Sequence, residues 1–71
     1  MNEEIIRAYL LQYGKKFRKL RKQAEFTQLQ AAQCVQCSQA IISHIECGYF
    51  MPPPRLEKAL LELYQQAQKD E

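Results

Sequence analysis

Thr27 to Gly48 reads TQLQAAQCVQCSQAIISHIECG, two short helical patterns joined by a tight turn, and the fold follows from how they meet. Apolar or small residues fall at Ala31, Ala32, Val35, Cys37, Ile42 and Ile45, the positions where two steeply crossing helices must touch. Ala32 is the informative one, because backbones that cross near a right angle approach closely and leave room only for a small side chain. Thr27 is the N-cap candidate of the first helix, which is expected to end near Cys34 or Val35. Ser38 can cap the second, which continues through Ile41, Ile42 and Ile45 to about Glu46, with Gly48 just past its end.

Before this stretch, Ile6, Tyr9, Leu10, Tyr13, Phe17 and Leu20 recur at steps of three or four. That spacing predicts one amphipathic helix over about 3–23. Gly14 interrupts it at about 1 kcal/mol relative to alanine, which leaves a kink or a break into two pieces there as the alternative to one helix. The turns before Tyr13 form an extension over about 3–13 that has to bury Ile5, Ile6 and Leu10. Glu3 and Glu4 suit the helix start, and basic residues gather toward its end, as the macrodipole favours. After Gly48 come Tyr49, Phe50 and Met51, then three prolines that make a stiff connector into a last helix over about 53–68. Leu56, Leu60, Leu63 and Tyr64 are its core candidates, and residues 66–71 are expected to fray.

Net charge is only +2, but Lys15, Lys16, Arg18, Lys19, Arg21 and Lys22 place six of the ten basic residues in eight positions. Alone, such a run is a solvated helix face; beside two crossing helices it favours phosphate contact. On the second short helix, the face opposite Ile42 and Ile45 shows Gln39, Ala40, Ser43 and His44. Glutamine can bond an adenine edge as donor and acceptor, and alanine can pack on a thymine methyl. Ser43 and His44 can reach a base or a phosphate.

This pattern resembles the Cro and phage-repressor type of helix-turn-helix regulators, the xenobiotic-response-element (XRE) type family. Thr27-Gln28, Ala31-Ala32, Cys37-Ser38, Ile42-Ser43, Ile45-Glu46 and Gly48 occupy its motif positions, and the wider likeness runs from Gly14 to Tyr64. The resemblance implies an all-α, compact, four- to five-helix, lambda-repressor-like DNA-binding domain spanning 1–71, with the helix-turn-helix at about 27–48. It implies a regulator of transcription, a repressor, that lays the second helix in the major groove of double-stranded DNA as a homodimer. Base reading falls to Gln39, Ala40, Ser43 and His44. Phosphate contact falls to Thr27, Gln28, Lys22, Ser38 and Tyr49, where the positive end of the first short helix makes a natural anion seat. Arg21 and Glu46 sit where the family has a partly buried ion pair. Phe50, Met51 and Leu63 are the expected dimer interface, with Ile5, Ile6 and Leu10 the next surface.

Three positions depart from the pattern: Gln36 replaces the turn glycine, Cys37 a valine, and Cys47 the common asparagine. Glutamine in a left-handed turn costs on the order of 1 kcal/mol. Ile41 takes a place that is usually polar, and either packs on the domain or meets a thymine methyl. Small domains of this type also serve as antitoxins, so a toxin or another regulator is the alternative partner, with Tyr49, Phe50 and Met51 as the docking patch.

Other function classes are weaker. Cys34, Cys37, His44 and Cys47 have soft-ligand spacing, which raises a thiol- or metal-responsive regulator. In the helix-turn-helix, however, Cys37 faces the core, His44 faces outward and Cys47 lies at the far helix end, so no metal or other cofactor is expected. An odd cysteine count argues against a disulfide framework. An enzyme is not expected, since no phosphate loop or spaced carboxylate pair accompanies the one Cys–His pair. No apolar run suits a membrane and no leader pattern is present, so a cytoplasmic location is expected. At this length folding buries only about 60% of the unfolded chain's surface. Stability should therefore be marginal.

Overall fold

The computed structural model describes residues 2–69, without the side chains of Gln68 and Lys69. It is all-helical among these residues: α1 spans Glu3–Gln23, α2 Gln28–Val35, α3 Gln39–Glu46 and α4 Pro54–Lys69. Four helices, not five, make up the described chain. Asp70, Glu71 and Met1 lie outside the described residues, and the predicted fraying from residue 66 is replaced by helix through Lys69.

Local signals set the boundaries. The Asn2 side chain caps α1 at Glu4. At α2, Thr27 Oγ1 accepts from Gln30 N–H at 3.0 Å while Gln30 Oε1 accepts from Thr27 N–H at 2.9 Å, a complete capping box. Ser38 Oγ accepts from Ile41 N–H at 3.2 Å at the start of α3. Pro54 opens α4, where a missing N–H costs nothing.

Three helices end in one way, with a left-handed residue that lets following N–H groups turn back onto the last carbonyls. After α1 it is Glu25, at φ 64°, with Glu25 N–H on Lys22 O and Phe26 N–H on Arg21 O. After α2 it is Gln36, at φ 61°, with Cys37 N–H on Ala32 O at 2.9 Å. After α3 it is Gly48, at φ 80°, with Tyr49 N–H on His44 O at 2.9 Å. Only the last uses glycine.

The core is Phe17, Ala31, Ala32, Ile42, Ile45, Leu60 and Tyr64. Ala31 and Ala32 are both fully buried, as the close packing of α2 on α3 requires. Rings link the layers, with Tyr13 on Phe17 at 5.0 Å, Phe17 edge-on to Tyr64 at 6.5 Å and Phe26 beside Tyr64 at 6.2 Å. The Tyr13 hydroxyl donates to Glu57 and ties α1 to α4.

Two readings are corrected, the break at Gly14 and the burial of Ile5 and Ile6. The break at Gly14 is not present: α1 is continuous over Glu3–Gln23, as the spacing predicts. A Cβ at Gly14 would stand 2.5 Å from Glu46 O and 2.6 Å from Ile45 O, so glycine is there to let α1 run against the end of α3. Ile5 and Ile6 are not buried but 66% and 42% exposed, because α1 runs on past the body of the fold; Leu10 is half-buried. Arg21 turns inward from the basic run to pair with Glu46, as the resemblance implies. Leu63 is half-buried, packing partly against the core and leaving part of its surface exposed.

Candidate nucleic-acid interface

α3 is a two-turn helix held at both ends, and what it presents follows from how it is held. Ser38 fixes its start. At its end, Arg21 Nε lies 2.6 Å from Glu46 Oε2 and Arg21 Nη2 lies 3.0 Å from Glu46 Oε1. Arg21 Nη1 also donates to Phe26 O at 2.8 Å, in the connection to α2. The two side chains are only 9% and 4% exposed. In such a place a bidentate pair is geometrically specific, and either charge left alone is costly. The hydrogen bond to Glu46 raises the pKa of the guanidinium above its ordinary value.

Glu46 also reaches toward the exposed face. Gln28 Nε2 donates to Glu46 Oε1 at 3.2 Å, and Gln39 Nε2 approaches Gln28 Oε1 at 3.5 Å. A line of contacts thus runs from buried Arg21 through Glu46 and Gln28 to Gln39 at the first position of α3. Gln28 is half-buried, with its amide oxygen and one amide N–H engaged, while the second N–H can still donate. The sequence did not reveal this bridge, because Gln28 and Glu46 belong to different helices.

Gln39, Ala40 and His44 are exposed and Ser43 is half-buried. The His44 ring lies 5.2 Å from Tyr49 and edge-on to Phe50 at 6.1 Å. Those rings restrict its rotamers and bring Tyr49, itself exposed, to the C-terminal end of the same face. Ile41 is half-buried against the core, which leaves the domain-packing alternative for it. The Thr27 and Ser38 hydroxyl oxygens serve as caps, and each keeps a hydroxyl hydrogen that can donate.

With Arg21 turned inward, the outward basic face consists of Lys15, Arg18, Lys19 and Lys22, which with Gln23 line a shallow groove of about 420 Å³ along α1. Helical geometry puts these residues on one side and Lys16 on another.

Cys34 and Cys47 are exposed and Cys37 is half-buried, all as free thiols. Burial pushes the Cys37 thiol up, which keeps it protonated and a poor ligand or nucleophile. Among the described residues, no group of three His, Cys, Asp or Glu side chains could hold a metal. No described helix is long and apolar enough to cross a membrane.

Residues 12–71 match the family described as a helix-turn-helix domain, so the first turns of α1 lie outside the shared pattern. No curated protein and no solved structure matches the chain.

Proposed function

Because the chain belongs to the helix-turn-helix domain family, we propose that it is a sequence-specific regulator of transcription on double-stranded DNA, a cytoplasmic repressor of the Cro and phage-repressor type. In this reading α3 enters the major groove. Gln39 bonds an adenine edge, Ala40 meets a thymine methyl, and Ser43 and His44 contact bases or the adjoining phosphates. The start of α2 seats a phosphate with its dipole and with Thr27. Ser38, Tyr49 and Lys22 complete the backbone contacts, and Gln28 orients Gln39 rather than reaching DNA alone. Two copies act together, with their α3 helices one DNA turn, about 34 Å, apart.

The observation that carries this reading is the line of contacts from Arg21 to Gln39. It joins a base-reading type of side chain, on an exposed helix face, to a buried ion pair, as preorganised recognition requires. Selection of bound fragments from a random DNA pool tests it. The expected product is a palindromic site whose half-sites are about one helical turn apart. A pool that shows no enriched sequence would overturn the reading.

A further inference from the structure

Residues 15–22 hold six of the ten basic residues and no acidic one, so the rest of the chain carries four basic against eight acidic residues. Net positive charge is thus confined to one stretch of α1. Lys15, Arg18, Lys19 and Lys22 are exposed, and the one ion pair found among the described residues, Arg21 with Glu46, uses none of them. The next acidic residue along the chain, Glu25, lines a separate groove with Phe26 and Cys34. An exposed cation cluster that no acidic side chain neutralises draws an anionic partner.

Neighbours fix where the cluster stands. Gly14 and Arg21 mark the side of α1 that meets the end of α3, since a Cβ at Gly14 would lie 2.5 Å from Glu46 O and Arg21 Nε lies 2.6 Å from Glu46 Oε2. At about 100° per residue, Arg18 stands about 40° beyond Gly14, Lys22 about 80°, Lys15 about 100° and Lys19 about 140°, while Arg21 and Phe17 lie about 20° and 60° to its other side. The basic row therefore begins at the edge of α3 and turns away from the core. The start of α2 adjoins the same edge, where Arg21 Nη1 donates to Phe26 O and Gln28 Nε2 to Glu46 Oε1. A DNA strand seated at that start and continued past it meets Lys22 and Arg18 next.

We propose that this side of α1 is a second, sequence-independent site for the DNA backbone, in which Lys15, Arg18 and Lys19 continue the phosphate contact of Lys22 beyond the half-site that α3 reads. The proposal rests on the reading of the chain as a DNA-binding protein and adds a length of duplex to its footprint. The lining of the groove selects the occupant. It consists of the four cationic side chains and Gln23. No aromatic or aliphatic residue is there to anchor a protein partner, and no ring on which the bases of a single strand could stack. The phosphates of a duplex suit such a lining, because they need cations and no particular base sequence.

Binding titrations of the full chain on a long duplex of unrelated sequence, across a salt series, test the site. Lys15→Gln combined with Arg18→Gln should weaken binding about tenfold and flatten the dependence of log K on log salt by about 1.8, as loss of two phosphate contacts does. Lys16→Gln combined with Lys58→Gln removes the same charge from exposed positions on other faces and should keep the wild-type slope. On the selected site the first variant should bind more weakly with its base preference unchanged. Equal losses in the two double variants overturn the proposal, since net charge alone would then be read, and so does no loss in either. A loss on polyglutamate that leaves the duplex unaffected overturns it too, because the face would then belong to an acidic protein. A chain that selects no sequence from the random pool can still pass this test, and one that selects a site can still fail it, so the two failures are distinct.

Discussion

Gly14 and Glu46 meet backbone to backbone: a Cβ on Gly14 would lie 2.5 Å from the Glu46 carbonyl oxygen. Nothing at the end of a flexible side chain could move aside, since the carbonyls of Ile45 and Glu46 are the last of α3. Gly14→Ala ought to gain about 1 kcal/mol from helix propensity, yet overpacking of this kind costs about 1 to 3 kcal/mol and displaces α3. We expect a net loss of stability in urea titration, with weaker DNA binding alongside it. A more stable Gly14→Ala protein would mean that α1 and α3 do not cross this closely.

Glu46 is held by its side chain as well. Removing one member of a buried ion pair strands the other, and the usual cost is about 3 to 5 kcal/mol. Arg21→Ala should fall in this range, since it also orphans the Phe26 carbonyl. A double-mutant cycle with Glu46→Ala isolates the pair, and a coupling energy near zero would show that it contributes no specific stability.

The left-handed turn between α2 and α3 is built on glutamine. Gln36, at φ 61°, carries a side chain where glycine is free of steric cost, and it is exposed. Gln36→Gly should therefore stabilise the domain by about 1 kcal/mol, less what glycine adds to the entropy of the unfolded chain. Gly48 should respond in the opposite sense. Its φ is 80°, and a Cβ there would press on Leu10 O and Leu11 at 3.1 Å, so Gly48→Ala should destabilise. Thermal melts of both variants check the pair of signs.

The all-helical fold was legible because its signals are local. Thr27 and Ser38 cap, Ala31 and Ala32 are small where helices cross, and apolar residues recur at helical spacing. Gly14 was misread because its partner lies on another helix, and a glycine within a helical pattern looks the same whether it bends the helix or admits a neighbour. Arg21 stands within a basic run, but the resemblance already paired it with Glu46, and helical rotation places it on the Phe17 side, where Glu46 receives it. Burial of Ile5 and Ile6 was expected on hydropathy alone, which does not say whether the covering surface belongs to the same chain. At the candidate interface the exposure of Gln39, Ala40 and His44 followed from periodicity. The engagement of Gln28 with Glu46 did not, because it needs two helices placed in space.

Alkali should act through Tyr64. Burial, with Glu46 nearby, pushes its phenol up to about 12, from about 10 in an unfolded chain. The folded state thus holds this proton more tightly, so the stabilisation is fully present below pH 10 and is lost as pH rises toward 12. The loss should be on the order of 2 to 3 kcal/mol. Tyr64→Phe keeps the ring packing on Phe17 and Phe26 and should remove this part of the decline. Denaturant titrations of both proteins between pH 9 and about 12 give the comparison, and parallel curves would exclude Tyr64 as the cause.

The line of contacts through Gln28 separates three kinds of DNA contact by their mutant signatures. Gln39→Ala, if Gln39 reads an adenine, should cost about 1 to 3 kcal/mol on the preferred site, relax preference at one base pair and spare nonspecific binding. Lys22→Ala should weaken all sequences alike and reduce the salt dependence by about one unit of slope, as loss of one phosphate contact does. Gln28→Ala distinguishes the remaining roles. A phosphate ligand would resemble Lys22 in affecting all sequences, although its neutral amide would leave the salt slope nearly unchanged. A residue that holds Gln39 in place would instead lower affinity on the preferred site, and in the Gln39→Ala background it would lower it little further. The contacts at 3.2 Å to Glu46 and 3.5 Å to Gln39 favour the second outcome. Binding titrations of the two single variants and the double variant, on the selected site and on an unrelated duplex, measure it. Additive losses on both duplexes would return Gln28 to the phosphate and leave Gln39 to find its own orientation.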